Sequence, residues 1–267
     1  MAAEIDRQKV RDSFHRQAND YDCHAVVQCR VVAKVVDMLQ AQQLTPARIL
    51  DVGAGTGRLL GRVTELYPEA SAVGADLAPG MCRAAAENLA GKRVQMVNAD
   101  AENLPFAPES FDLVLSTSTY QWLSSLDQAF GEARRVLAPR GLFCFALFGE
   151  KTLFELRDSY RSALSGGADR SHSFFSKSEV EEALQRVGFT GATVTSELEV
   201  EMHPDVPELL RSLKRIGAGS TAPVAASGLS ERRIMLDMMA AYRKEFGAKD
   251  GIPATYEVIY GLARKPG

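Results

Sequence analysis

The chain of 267 residues is sparing with reactive side chains: four cysteines, four histidines and a single tryptophan. Cys23, Cys29, Cys82 and Cys144 form no Cys-x-x-Cys pair, and no histidine stands beside them at zinc-ligand spacing. A disulfide framework and a structural zinc site are thereby excluded; free thiols in a reducing compartment are expected, and no metal. The histidines, at 15, 24, 172 and 203, are too scattered to suggest a hydrolytic triad. A basic excess is also missing: the formal net charge of −3 argues against a general nucleic-acid binder. No apolar run approaches the ~18 residues of a membrane span. The stretch from Met1 to Val10 carries Glu4, Asp6, Arg7 and Lys9 and lacks the apolar centre of a signal peptide. A cytoplasmic protein is expected, with neither nucleic acid nor membrane as partner.

What is present is apolar residue in quantity, 46% of the chain, enough for a large core. Its distribution predicts an α/β fold. Residues 8–43 read as helix, with Val26, Val27, Val31, Val32, Val35, Val36 and Leu39 at helical spacing. Strands follow at Arg48–Val52, Ser71–Asp76, Val94–Asn98, Phe111–Ser116 and Leu142–Phe148, the last opened by a Pro139-Arg140-Gly141 turn. Helices at Arg58–Leu66, Pro79–Ala90 and near Ser125–Val136 separate them, which implies a parallel sheet covered on both faces. Beyond lie a helix over Thr152–Ala163, a polar loop at 165–169, and a helix over Ser176–Val187. That helix has Ser176 as N-cap, Glu179 three residues on, and Gly188 as its stop. Strands are predicted at Thr190–Val200 and Thr255–Ala263. Between them residues 204–250 read as a helical insertion broken by a small-residue loop at Gly217–Gly228. The expected organisation is a helical segment plus core over 1–203, a lid over 204–250, and a final core strand in 251–267, the lid lying over the carboxyl ends of the strands.

The most specific stretch is Ile49-Leu50-Asp51-Val52-Gly53-Ala54-Gly55-Thr56-Gly57, a buried strand running into a glycine turn and then a helix. Bare backbone there allows close approach of a ligand, and the following helix offers unpaired N–H groups. Asp51 precedes the turn, Asp76 ends the second strand, and Asp100 follows the third. Three carboxylates around such a turn disfavour a pyrophosphate and suit a ligand without phosphate, or a cation. The segments ILDVGAGTGRLL, VGADLAPGM, VNADAENLPF, FDLVLSTSTYQWL and RRVLAPRGLFCFALFG, in this order, resemble the successive motifs of class I S-adenosylmethionine-dependent methyltransferases. The resemblance covers about residues 45–149 and the closing strand. It implies a Rossmann-like, mostly parallel sheet with an antiparallel last strand, and S-adenosylmethionine as cofactor. Gly53, Gly55 and Gly57 would line its methionine and ribose part. Asp76 would take the ribose hydroxyls, with Leu77 against the adenine, Asp100 and Ala101 would read the adenine edge, and Ser116 would lie near the departing methyl. Asp51 would either touch the cofactor or only organise the turn.

Segments outside this core carry a narrower resemblance. They are Phe14–Asp22, Tyr120–Leu123, Leu147–Arg157, His172–Phe175, Leu210–Ala218 and Thr255–Gly261. Together they are similar to the malonyl-carrier-protein O-methyltransferases of biotin synthesis, apart from Pro139-Arg140-Gly141, where many relatives have two glycines. The resemblance implies methyl transfer to the free carboxylate of malonyl-acyl carrier protein. A carboxylate with a pKa near ~4 is already ionised at neutral pH and needs no general base. Its positioners would be Tyr21, Tyr120, Gln121 and Arg157. The insertion has eight basic residues against six acidic ones and could steer an acidic carrier protein, with Lys214 and Arg215 as its contacts. A methyltransferase for a free small carboxylic acid, a nicotinamide-dependent oxidoreductase using the same turn, and a non-catalytic S-adenosylmethionine-binding protein remain as alternatives.

Overall fold

The structure, a computed structural model, describes residues 6–164, 172–219 and 229–267. Seven strands form one sheet: β1 (Arg48–Val52), β2 (Ser71–Asp76), β3 (Val94–Asn98), β4 (Phe111–Thr117), β5 (Leu137–Phe148), β6 (Thr190–His203) and β7 (Ile252–Arg264). Their order is β3-β2-β1-β4-β5-β7-β6, with β7 antiparallel to both neighbours and the pairs from β3 to β5 parallel. The Rossmann-like sheet with one antiparallel strand is therefore as expected. The strand order reverses between β1 and β4, the position at which open α/β sheets bind ligands beyond the strand carboxyl ends.

The helices are α1 (Arg7–Gln17), α2 (Tyr21–His24), α3 (Val26–Gln40), α4 (Arg58–Leu66), α5 (Pro79–Asn88), α6 (Leu126–Val136), α7 (Phe154–Ala163), α8 (Lys177–Arg186), α9 (Val206–Arg215) and α10 (Leu229–Phe246). Alternation along the strands divides the core between the two faces. Ile49, Leu113, Leu115, Cys144 and Ala146 pack with apolar residues of α3, α4, α7, α9 and α10. Leu50, Val52, Val114, Phe143 and Phe145 face the other way, onto α6 and α8. On α6 the buried positions are Leu126, Ala129, Phe130, Ala133 and Val136, a stripe at helical spacing. Ser176 and Glu179 form the reciprocal cap predicted for α8.

Several boundaries differ from the sequence reading. The expected helix over 8–43 is three helices. Val27, Val31, Val32, Val35, Val36 and Leu39 are buried, but Val26, at the start of α3, is exposed. A turn at 18–20 ends α1, and Ala25, at φ −83° and ψ 57°, breaks the helix again. Strands β6 and β7 run to a pairing of His203 with Ile252, beyond their predicted ends, and the apolar alternation of Leu198, Val200 and Met202 runs on with β6. β5 includes the predicted Pro139-Arg140-Gly141 turn as an irregularity, with Arg140 at φ 64°, a conformation that a glycine adopts without strain. α7 starts at Phe154 rather than Thr152, after Leu153 at φ 54°. The polar loop at 165–169 lies outside the described residues, as do positions 220–228 of the Gly217–Gly228 loop. Among the described residues no helix is long and apolar enough to cross a membrane.

Candidate active site

The glycine turn folds as its sequence demands. Gly53 stands at φ 74° and Gly55 at φ 56°, left-handed conformations that strain any residue with a Cβ. A Cβ on Gly53 would lie 2.0 Å from the Thr119 hydroxyl oxygen, so the turn is fitted tightly against the end of β4. At Gly55 the space is open, with nothing within 4 Å of a Cβ. That opening belongs to a cavity of about 770 Å³, part of it open to solvent, within the range of small-molecule sites. Gly53, Gly55, Asp76, Leu77 and Ala101 line it, as Thr117, Ser118 and Thr119 do at the end of β4.

Asp76 is held by backbone on both oxygens: Gly55 N–H donates to Oδ2 at 2.9 Å and Ala78 N–H to Oδ1 at 2.8 Å. Burial pushes this carboxyl up from its ordinary range, and the same two N–H groups pull it back. Each oxygen keeps acceptor capacity for a ligand hydroxyl. A bare-backbone floor, a fixed carboxylate and the apolar Leu77, Met81, Ala99 and Ala101 fit an adenosine-bearing molecule.

The three expected carboxylates do not ring this cavity together. Asp51 is 1% exposed beneath the turn; neither oxygen has a hydrogen-bond partner among the described residues, and burial, with Asp76 nearby, pushes it up to about 7. Asp100 accepts from the Glu102 N–H at 3.0 Å and from Arg7, which also pairs with Glu102. Its neighbours Ala99 and Ala101 line the cavity, and Asp100 stands behind them. Ser116 is fully buried, donating to the Val52 carbonyl at 2.8 Å, and Gly57 sits at the N-terminus of α4 with its backbone against Leu89. Neither lines the cavity.

The sequence reading did not single out the roof. Arg7, Val10, Arg11 and Phe14, all on α1, close the cavity from above. Gly80 N–H bonds His15 Nδ1 at 3.1 Å and seats α1 on α5. Amphipathic spacing in α1 is the one signal that could have marked this face, and the helix is too polar for that signal to be strong.

A second cavity, about 400 Å³, adjoins the first. Phe14, Tyr21, Ser118 and Trp122 line both. Gln28, Gln121, Thr152, Phe174 and Tyr256 contribute to the second, with Leu213 and Ile216 of α9 and its neighbouring turn. Among the described residues lining it none is charged. The Tyr21 hydroxyl has no hydrogen-bond partner there, and burial with the Asp22 and Asp76 charges raises its pKa, so it remains a donor. Gln121 is 1% exposed and donates to the Ser118 carbonyl at 2.6 Å. Ser118 itself stands at φ 56°, a strained conformation located at the junction of the two cavities.

Two further candidates lie elsewhere. Tyr120 belongs to a short 3-10 turn, Tyr120–Trp122, that directs its ring into the core against Phe130, Phe143 and Phe145. It is 0% exposed and lines neither cavity; this corrects its expected place beside a substrate. Arg157 donates to the Thr152 carbonyl at 2.6 Å and to the Glu150 carbonyl, so its guanidinium braces the loop after β5 and likewise lines neither cavity. His172 is more deeply placed than a surface or capping group. Its Nε2 donates to the Gln121 carbonyl at 2.9 Å, its ring lies 5.2 Å from Trp122, and burial holds it down at about 4, hence neutral. It props the Trp122 wall. Lys214 and Arg215 are exposed on α9, Arg215 paired with Glu208 at 2.8 Å.

Comparison with known proteins agrees with this geometry. Residues 50–145 match the family model described as a methyltransferase domain. The fold is similar to that of a Bacillus halodurans methyltransferase (TM-score 0.64, 20% identity, covering 88% of this chain and 99% of that one). It is also similar to that of Haemonchus contortus phosphoethanolamine N-methyltransferase 2 (TM-score 0.55, 22% identity, 88% and 53%). Among curated proteins, the malonyl-[acyl-carrier protein] O-methyltransferase of Geobacter sulfurreducens is 56% identical over 98% of this chain and 100% of its own length. That of Methylovorus sp. is 38% identical over 98% and 90%. These matches span 98% of the chain, and it belongs to the malonyl-[acyl-carrier protein] O-methyltransferase family.

Proposed function

We propose that the protein transfers a methyl group from S-adenosylmethionine to the free carboxylate of malonyl-acyl carrier protein, in the cytoplasm, as an early step of biotin synthesis. The observation that carries this reading is the pair of cavities sharing Phe14, Tyr21, Ser118 and Trp122: one fits an adenosine, and the other is uncharged and adjoins it. Bound S-adenosylmethionine supplies an electrophilic methyl on a sulfonium. Asp76 accepts from the ribose hydroxyls, and the bare backbone of Gly55 admits the cofactor beside the end of β4. The malonyl carboxylate, already ionised, would take that methyl directly, so no residue is needed to move a proton. The protein's task is therefore alignment at ~3–3.5 Å and exclusion of water. Neutral donors suit that task, because a close cation would hold the carboxylate too firmly and blunt it. Tyr21 and Gln121 are the positioning residues in this reading, with Phe14 and Trp122 as the water-excluding wall.

Leu213 and Ile216 of the α9 region line the second cavity, so the neighbouring exposed Lys214 and Arg215 stand near its rim. Residues 204–250 act in this reading as the lid on which an acidic carrier protein docks. Mass detection of the methyl ester on malonyl-acyl carrier protein, beside malonyl-coenzyme A and free di- and tricarboxylic acids, tests the reading; esterification of the free acids alone would overturn it. Lys214→Glu with Arg215→Glu is expected to raise KM for the carrier protein more than for malonyl-coenzyme A. Equal effects on both would remove the docking surface.

A further inference from the structure

Gln28 is one of the polar side chains of the second cavity, with Ser118, Thr152 and Tyr256, to which the reaction scheme above gives no role. It occupies the third position of α3, one turn into a helix whose N-cap, Ala25, has no side chain to offer. The side chain is partly buried, yet its amide makes no hydrogen bond to any described residue. It lines two hollows: the uncharged second cavity, and a third of about 400 Å³ on the far side of the glycine turn, whose wall includes Gly53, Ala54, Gly55 and Thr56. Tyr21 and Ser118 line these two and the first cavity as well. Gln28 therefore lines two of the three spaces beside Tyr21 and Ser118, which line all three. Cofactor and acceptor must meet there if a methyl is to pass between them.

A primary amide has two N–H donors and no charge. Held against one oxygen of a carboxylate, it fixes the group in place and leaves the other oxygen free to attack. It does so without the strong stabilisation that a charge-assisted bond to lysine or arginine would bring. A half-buried amide with no protein partner is also waiting for one, since an unmade hydrogen bond in such a place carries a desolvation cost.

Resting on the methyl-transfer reading, we propose that Gln28 is a substrate-positioning residue whose side-chain amide donates to the non-attacking oxygen of the malonyl carboxylate, and that it sets the preference of the site for the free acid over its methyl ester.

The test compares the parent with Gln28→Leu and Gln28→Glu. Binding of malonyl-coenzyme A and of its monomethyl ester is measured by calorimetry with S-adenosylhomocysteine present, alongside binding of S-adenosylhomocysteine alone. The parent is expected to bind the free acid more tightly than the ester. In Gln28→Leu the Kd of the acid should rise about tenfold while those of the ester and of S-adenosylhomocysteine stay within about threefold, so that the preference disappears. Gln28→Glu should weaken acid binding further, by like-charge repulsion. A glutamate at this helix position favours the helix, so the same variant should melt no lower than the parent. A preference unchanged in both variants, or an equal loss for acid and ester, would overturn the role of Gln28 while leaving the reaction intact. A parent that esterifies no malonyl thioester would remove the reaction itself, and the assignment with it.

Discussion

The cofactor cavity takes its floor from the turns at consecutive strand ends and its roof from α1. The acceptor cavity takes its walls from side chains that arrive from α1, α2, α3, the β4–α6 connection, β5, α9 and β7. In the first, residues 53, 55, 76, 77, 99 and 101 lie close to one another in sequence and are placed by turns that a few neighbouring residues dictate. In the second, Phe14 and Tyr256 are more than two hundred positions apart and meet only because the whole chain has folded. The contrast extends to chemistry: a carboxylate, Asp76, is fixed on the cofactor side, while the acceptor side carries only neutral hydrogen-bonding groups. A cofactor with a constant structure suits a rigid backbone cradle. An anionic nucleophile beside a sulfonium suits a lining that orients without neutralising.

If the two cavities are built from such different materials, they should fail differently. The largest effect is expected from Gly53→Ala. The added Cβ collides with Thr119 at a positive φ, which costs more than about 2 kcal/mol of stability and abolishes measurable S-adenosylhomocysteine binding. A calorimetric Kd within tenfold of the parent would show that the cradle is softer than described. Asp76→Ala comes next, with a rise of ~10–100-fold in the Kd of S-adenosylhomocysteine, the ~1–3 kcal/mol of a lost hydrogen bond to a charged group; an unchanged value would take Asp76 out of the site. On the acceptor side Tyr21→Phe should raise KM for the malonyl thioester about fivefold, near 1 kcal/mol, and leave cofactor affinity alone. A shift confined to cofactor affinity would reverse the assignment of Tyr21.

A pH-dependent effect lies beneath the glycine turn. Burial and the nearby Asp76 push the Asp51 carboxyl up to about 7, well above an ordinary carboxylate, so the folded state binds this proton more tightly than the unfolded chain. Its contribution to stability is whole below about pH 4 and is lost as pH rises toward about 7. In Asp51→Asn this dependence vanishes. The melting temperature of the ligand-free variant relative to the parent should therefore climb between about pH 4 and 7 and level off above. A constant difference across that range would mean that Asp51 is ionised throughout.

The same contrast explains what could be read from the chain. Strands β4 and β5 were legible because burial on both faces leaves continuous apolar runs such as Leu113–Leu115 and Leu142–Phe148. The ends of β6 and β7 were not, because a proline, Pro253, stands in the paired stretch opposite Met202 and masks the alternation around it. Tyr120 shows the limit for side chains. Its position just past β4 suggested the cavity, but in a turn of three residues per revolution neighbouring side chains diverge, and Tyr120 enters the core while Trp122 forms the wall. Arg157 shows another limit. A long side chain on the first turns of a helix can reach back to loop carbonyls, and here it does, to Thr152 and Glu150. Gln28 was invisible as a site residue, since nothing within its own helix points to what packs opposite it.

By itself the sequence determined the strand–turn–helix order, the glycine turn and the carboxylate at the end of β2, because φ preferences and burial patterns act over a few residues. Only the tertiary structure decided that Asp51 lies under the floor instead of in the wall, that α1 is the roof, and that an uncharged second chamber opens beside the first. Those outcomes depend on which distant surfaces pack together, and packing is a property of the assembled core that no short window of residues contains.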